Sequence, residues 1–222
     1  AKAVVSVRSC DATTFEQSIK ESEAVWMQEI RATEPYAKIE LEKTDIAADK
    51  VLNSHSTANV IYALWLSPDG VYKMSQEIKG MVQTSLNLGT AYLDADKLVY
   101  KYLIRSNTAA GKKLLLERVT TFVKHLSGKV VTMSDYPAWE YKSDSQLRKI
   151  CVDSFTNVYG HEPEVTSIHA GLECGILAGK MPGVDMISFG PTLESVHTPD
   201  ECMDVASVER TWEYLMEILK SL

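Results

Sequence analysis

The sequence predicts an α/β protein in two parts, a small open β-sheet with helices over residues 1–133 and a helix–strand alternation over residues 134–222. Three observations carry this reading. Apolar positions switch repeatedly between helical spacing and strict alternation. Two β-rich runs, MVQTSLNLG (81–89) and KLVYKYLIRS (97–106), flank the turn-prone LDAD. The proline-bearing polar stretch SDYPAWEYKSDS (134–145) then marks a crossing from one part to the other.

Taken in order, KAVVSV (2–7) is β-branched and reads as a strand. Phe15, Ile19, Trp26 and Ile30 keep helical spacing behind it, with Asp11 or Thr13 as the N-cap. Beyond Pro35, Ile39 and Leu41 alternate with Lys38, Glu40 and Glu42, the pattern of a half-exposed strand. A helix over 48–66 ends at the turn SPDG (67–70), and the 81–89 and 97–106 runs follow as an antiparallel hairpin. Leu115, Val119, Phe122 and Leu126 then share one helical stripe that stops at Gly128, and KVVTM (129–133) is a further strand.

After the crossing, Leu147, Ile150, Cys151, Phe155 and Val158 mark a helix, 163–169 a strand, Leu172 the start of a short helix, and VDMISFG (184–190) another strand. The terminal helix carries Val205, Val208, Trp212, Leu215 and Leu219 on one face, a stripe that calls for a sheet beneath it. Two strands are too few to form that sheet alone, so something is expected to complete it.

Composition narrows the function classes. The 222 residues are 45% hydrophobic and 24% charged, which excludes a disordered or fibrous chain. A net charge of −7, with no cluster of Lys or Arg, offers no footprint for nucleic acid or an anionic membrane. No apolar run is long enough to span a bilayer. The four cysteines are scattered without a CxxC pair, as expected of free thiols in a reducing cytoplasm. Ala1 stands directly inside the first expected strand, which suggests a chain cut from a longer protein.

The five histidines form no HxxxH, HxH or HxD pair, and there is no GxSxG, P-loop or GxGxxG, so no complete metal, nucleophile or phosphate site can be read by spacing. Three places nonetheless carry candidate chemistry. In IHAGLECG (168–175), His169, Ala170 and Gly171 form a turn small enough to bring backbone N–H groups to an anionic ligand, or simply a tight strand-to-helix turn. In SFGPTLESVHTPDE (188–201), His197 lies in a loop beyond a strand, where ligands of open α/β sheets bind; the plainer alternative is a solvated histidine, with Thr198, Asp200 and Glu201 capping the next helix. Arg105, at the end of a strand, is able to grip a carboxylate bidentately or to make a surface ion pair.

Read together, VQTSLNLG (82–89), YLIRS (102–106), YPAWE (136–140), IHAGLECG (168–175), DMISFGPT (185–192) and HTPDE (197–201) resemble, in the same order, the C-terminal half of the aminoacyl-histidine dipeptidases. That family belongs to the di-zinc aminopeptidase, carboxypeptidase and aminoacylase superfamily. The resemblance implies that residues 1–133 are most of an inserted lid or dimerisation domain, lacking its N-terminal strands. Residues 134–222 would be the closing part of the catalytic domain.

It further implies that His197 is a zinc ligand, that Arg105 binds the carboxylate of a dipeptide substrate, and that Ala170 and Gly171 present backbone to that substrate. No role follows for His169 or Glu173. The family's other zinc ligands and its general-base Glu lie in an N-terminal half that this sequence does not contain, and one histidine cannot hold two zinc ions. The chain alone is therefore expected to be inactive. The alternative from another class is a non-catalytic module that self-associates through the lid, as a homodimer.

Overall fold

A computed structural model describes residues 1–44, 50–94, 96–168 and 173–222. The chain divides into two compact units, Ala1–Ala58 and Asn59–Leu222.

The first unit is built on helix α1, Ala12–Ile30. Asp11 is its N-cap, as expected, but its carboxylate makes no capping bond and instead pairs with Arg8 at 2.6 Å. The chain then returns along the helix: the Ile39 amide donates to Glu23 at 3.1 Å, and Lys43 meets Glu16 at 3.0 Å. The expected strands at 2–7 and 39–41 do not form. A strand is defined by the ladder it makes with a neighbour, and neither segment has a hydrogen-bonded partner strand among the described residues. Val4 and Val5 are accordingly exposed.

Helix α2, Ser54–Trp65, falls inside the expected 48–66 span, of which residues 48 and 49 lie outside the described residues. The second unit centres on a three-stranded antiparallel sheet in the order β1 (Gly70–Met74), β2 (Val82–Asp94), β3 (Lys97–Ser106). The hairpin is the expected one, but β2 continues five residues past Gly89. The register shifts between Leu88 and Thr90, so a bulge at Gly89 carries the strand on where glycine seemed to end it. Strand β1 is an addition to the sequence reading, stitched down by the preceding turn: Asp69 accepts from the Leu88 amide at 2.7 Å, and the Ser67 and Tyr102 hydroxyls meet at 2.6 Å.

Alternation puts Leu86, Ile104 and Tyr102 on one sheet face, which α3 (Ala109–His125) covers with Leu115 and Val119. Leu86, Leu115 and Val119 are nearly inaccessible, with Tyr72 and Val123 packed around them. After the helix, Ser127 takes the left-handed conformation (φ 58°) and the Gly128 amide returns to the Val123 carbonyl at 2.9 Å. Gly128 is indeed the stop, because a Cβ there would stand 2.7 Å from Val123 Cγ1.

The second core joins α4 (Gln146–Tyr159) to α6 (Val205–Ser221) through Cys151, Tyr214 and Ile218, with Leu147, Ile150, Phe155 and Ile187 against them. The Tyr214 hydroxyl donates to the Cys151 carbonyl at 2.9 Å. Burial pushes the Tyr214 phenol well above its usual value and raises that of the Cys151 thiol.

Four further expectations fail here. Residues 129–133, 163–168 and 184–190 join no sheet among the described residues, again for want of a neighbouring strand. Residue 169, the last of the expected 163–169 strand, lies outside the described residues. The stripe of α6 that was expected to be buried is the exposed one, with Val205 at 78% and Trp212 at 61%. The face turned to α4 instead carries Tyr214 and Ile218. The small open sheet with helices holds, and the second part combines three helices with one short two-stranded antiparallel sheet among the described residues.

Candidate active site

Two short strands, β4 (Leu193–Glu194) and β5 (Cys202–Met203), pair antiparallel and close a loop over 195–201. Each bond in that loop has a local cause. The Thr198 amide and hydroxyl both donate to the Ser195 carbonyl, at 3.2 and 2.7 Å. The Asp200 amide donates to the Thr198 hydroxyl and the Glu201 amide to the Thr198 carbonyl, each at 3.2 Å. Ser195 and His197 both have positive φ, 52° and 67°, a conformation histidine tolerates better than most side chains. The Glu201 carboxylate holds the turn by accepting from the His197 amide at 2.9 Å. The imidazole is thus exposed on a loop whose main chain is tied down.

The capping role foreseen for Thr198, Asp200 and Glu201 belongs to Asp204. Its carboxylate accepts from the Ala206 amide at 2.9 Å and from Arg210 at 2.9 Å, while its amide donates to the Thr192 carbonyl at 3.0 Å. The Arg210 guanidinium holds the Asp204 carboxyl below the usual carboxylate range. Ser207 completes the frame, accepting from the Thr192 amide at 2.8 Å. An acid one residue before an apolar periodic run is a cap signal, and Asp204 carries it more directly than the acids nearer the histidine.

Arg105 sits on β3 opposite Ser85, on the face of the sheet away from Leu86 and Leu115, and is exposed. It therefore belongs to the sheet layer, whereas His197 belongs to the loop ahead of α6. Ala170 and Gly171, with His169, lie outside the described residues. Glu173 opens α5, Glu173–Lys180, and is exposed.

Away from the His197 loop in sequence, Asp185 is an acid held by several hydrogen bonds. It accepts from the Ser145 hydroxyl at 2.8 and 2.9 Å and from the Leu147 amide at 3.1 Å, at the N-terminus of α4. Burial raises its pKa, but these bonds and the nearby Lys142 outweigh that and bring it below the usual range. Asp185 is thus a structural carboxylate committed to a helix end.

Donor chemistry decides whether this chain can hold metal. A zinc site needs at least three protein donors converging on one point, and no group of three or more His, Cys, Asp or Glu side chains does so among the described residues. His197 offers one imidazole. The described residues do not by themselves fit a zinc pair.

Among the described residues, an exposed, loop-anchored histidine and an exposed arginine on a separate sheet do not make a closed catalytic centre. The family model for Peptidase family M20/M25/M40 matches residues 10–221, and the chain belongs to that family. It is similar to the cytosol non-specific dipeptidase of Escherichia coli (strain K12), with 33% identity over 178 residues covering 80% of this chain and 37% of the relative. Its fold is that of the aminoacylhistidine dipeptidase from Vibrio alginolyticus, at 27% identity and a TM-score of 0.88, over 97% of this chain and 44% of that one. The aminopeptidase PepT from Bacillus cereus, at 16% identity and a TM-score of 0.50 over 75% of this chain and 45% of that one, shares the fold. The chain spans about two fifths of the relatives it matches.

Proposed function

We propose that this chain is the lid and C-terminal catalytic portion of a cytoplasmic metallo-dipeptidase that hydrolyses dipeptides, Xaa-His dipeptides among them. The observation that carries the reading is the anchored His197 loop within a chain whose residues 10–221 match the family. His197 is assigned as one zinc donor, Arg105 as the group that receives the substrate carboxylate, and Ala170 and Gly171 as backbone partners of the substrate. Residues 1–133 form the lid and 134–222 the catalytic portion. With a single donor in place, this chain alone is inactive.

The test has two arms. Zinc titration by calorimetry and an Xaa-His dipeptidase assay on the 222-residue chain should give neither stoichiometric di-zinc binding nor turnover; both together would refute its inactivity. In a protein carrying the complete family fold, His197→Ala should abolish most turnover and one equivalent of zinc affinity, and unchanged turnover would remove His197 from the site. A panel of dipeptides with and without C-terminal histidine then decides between an Xaa-His enzyme and a broader dipeptidase.

A second reading, self-association through the lid, is favoured by β3, an outer strand of the sheet among the described residues with main-chain groups open on one side. Sedimentation reads it directly, and a monomer at all concentrations removes it.

A further inference from the structure

Residues 135–140 are gripped from two sides. From α3, the Lys112 ammonium donates to Asp135 at 2.6 Å and to the Tyr136 carbonyl at 2.5 Å. The Ala109 amide, first in the same helix, donates to the Glu140 carboxylate at 2.8 Å. Glu140 thereby satisfies an amide that the helix itself leaves open, while Thr108 caps Gly111 at 3.2 Å. The Lys112 side chain is only 26% exposed, unusual for a lysine and consistent with a fixed role.

From the other side comes α5. A Cβ on Gly175 would stand 2.8 Å from the Pro137 carbonyl oxygen, and one on Gly179 would stand 2.7 Å from Pro137 Cγ. These glycines lie one turn apart on one face, so the helix backbone itself rests on Pro137. Glycine inside a helix is costly, and here close approach to 135–140 is what it permits.

The geometry points to a strap: residues 135–140 lock α5 to the N-terminus of α3, with Lys112 and Glu140 as its positioning residues. The strap fixes the helix beginning at Glu173 against the layer that contains β3. Its consequence for catalysis, holding the sheet that bears Arg105 in register with the catalytic portion, rests on the dipeptidase reading; the strap itself does not.

Hydrogen exchange with mass spectrometry on the 222-residue chain tests it without measuring hydrolysis, so failure of the dipeptidase reading leaves the result standing. Lys112→Met and Glu140→Gln should each raise exchange several-fold in both 135–140 and 173–180. Exchange in 146–159 and 205–221 should stay unchanged, and Lys112→Arg should restore protection. Gly179→Leu, which drives a side chain into Pro137, should loosen the same two stretches from the other side. Faster exchange confined to 135–140 would overturn the coupling, and a uniform rise through α4 and α6 would reduce Lys112 to a general stabilising contact and overturn it too. Should Lys112→Met fail to fold, Glu140→Gln reads the same strap through its other anchor.

Discussion

At the scale of single residues, the informative side chains are those whose bonds leave them no second role. Asp185 accepts from Ser145 and Leu147 and is held below the usual carboxylate range. A depressed carboxylate contributes stability that is present above its unfolded pKa, about 3.9, and is lost as pH falls through the lower folded value. Asp185→Asn should therefore cost about 1–3 kcal/mol at pH 7. It should also flatten the wild-type loss of stability below about pH 4; urea unfolding at pH 7 and pH 3 measures both, and an equal deficit at the two pH values would sink the linkage. Arg105 is exposed on β3, so Arg105→Ala should leave folding within about 0.5 kcal/mol. In a protein with the complete family fold it should erase the preference for free over amidated dipeptides, and an undiminished preference removes its role. His197 stands out as a candidate in the sequence because it lies in a loop beyond an apolar run. Its anchor, Glu201, does not, because a carboxylate bonding the amide four residues earlier leaves no trace in spacing.

At the scale of elements, every helix predicted from apolar spacing is present, because a helix satisfies its backbone within itself. The strands divide differently. The 82–94 and 97–106 pair forms because each strand is the other's partner, whereas 2–7, 39–41, 129–133 and 184–190 have β-rich or alternating sequence but no neighbour among the described residues. β-propensity reports fitness for a ladder and cannot supply one. Strand β1 escaped notice for the converse reason: GVYKM is short and half polar, and its place is set by pairing with β2 and by Arg118 lying 5.0 Å over the Tyr72 ring. The joint between β3 and α3 is the element most sensitive to substitution. A Cβ on Gly111 would lie 2.6 Å from Thr84 Oγ1 and 2.7 Å from Ser106 Oγ, two hydroxyls already bonded to each other at 2.9 Å. Alanine gains about 1 kcal/mol of helix propensity over glycine, but overpacking costs about 1–3 kcal/mol and breaking the hydroxyl pair about 1 more. Gly111→Ala should thus be destabilising by about 1–3 kcal/mol in chemical denaturation, and an increase in stability would show that Thr84 moves aside.

At the scale of the whole molecule, the described residues form two small cores and leave Val205, Val208, Trp212 and Leu219 of α6 in solvent, although the sequence assigns that stripe to an interior. Periodicity identifies an apolar face but not which of two faces a neighbouring helix will take. Tyr214 and Ile218 hold the contact with α4, Tyr214 packing on Phe155 with ring centroids 5.3 Å apart and satisfying its hydroxyl on Cys151. The Val205, Val208, Trp212 and Leu219 face stays outside. The two faces should answer oppositely to the same substitution in this chain. Ile218→Glu places a carboxylate where the side chain is 4% exposed, a change expected to unfold the α4–α6 layer. Trp212→Glu removes a ring that is 61% exposed, so the melting midpoint should barely move, with a stability change within about 0.5 kcal/mol. Because an exposed apolar stripe is also what draws chains together, Trp212→Glu should at the same time lower light scattering on concentration and reduce binding of an apolar dye. Loss of the cooperative transition in Trp212→Glu would mean that this face is already covered in solution, and the assignment of the two faces would have to be reversed.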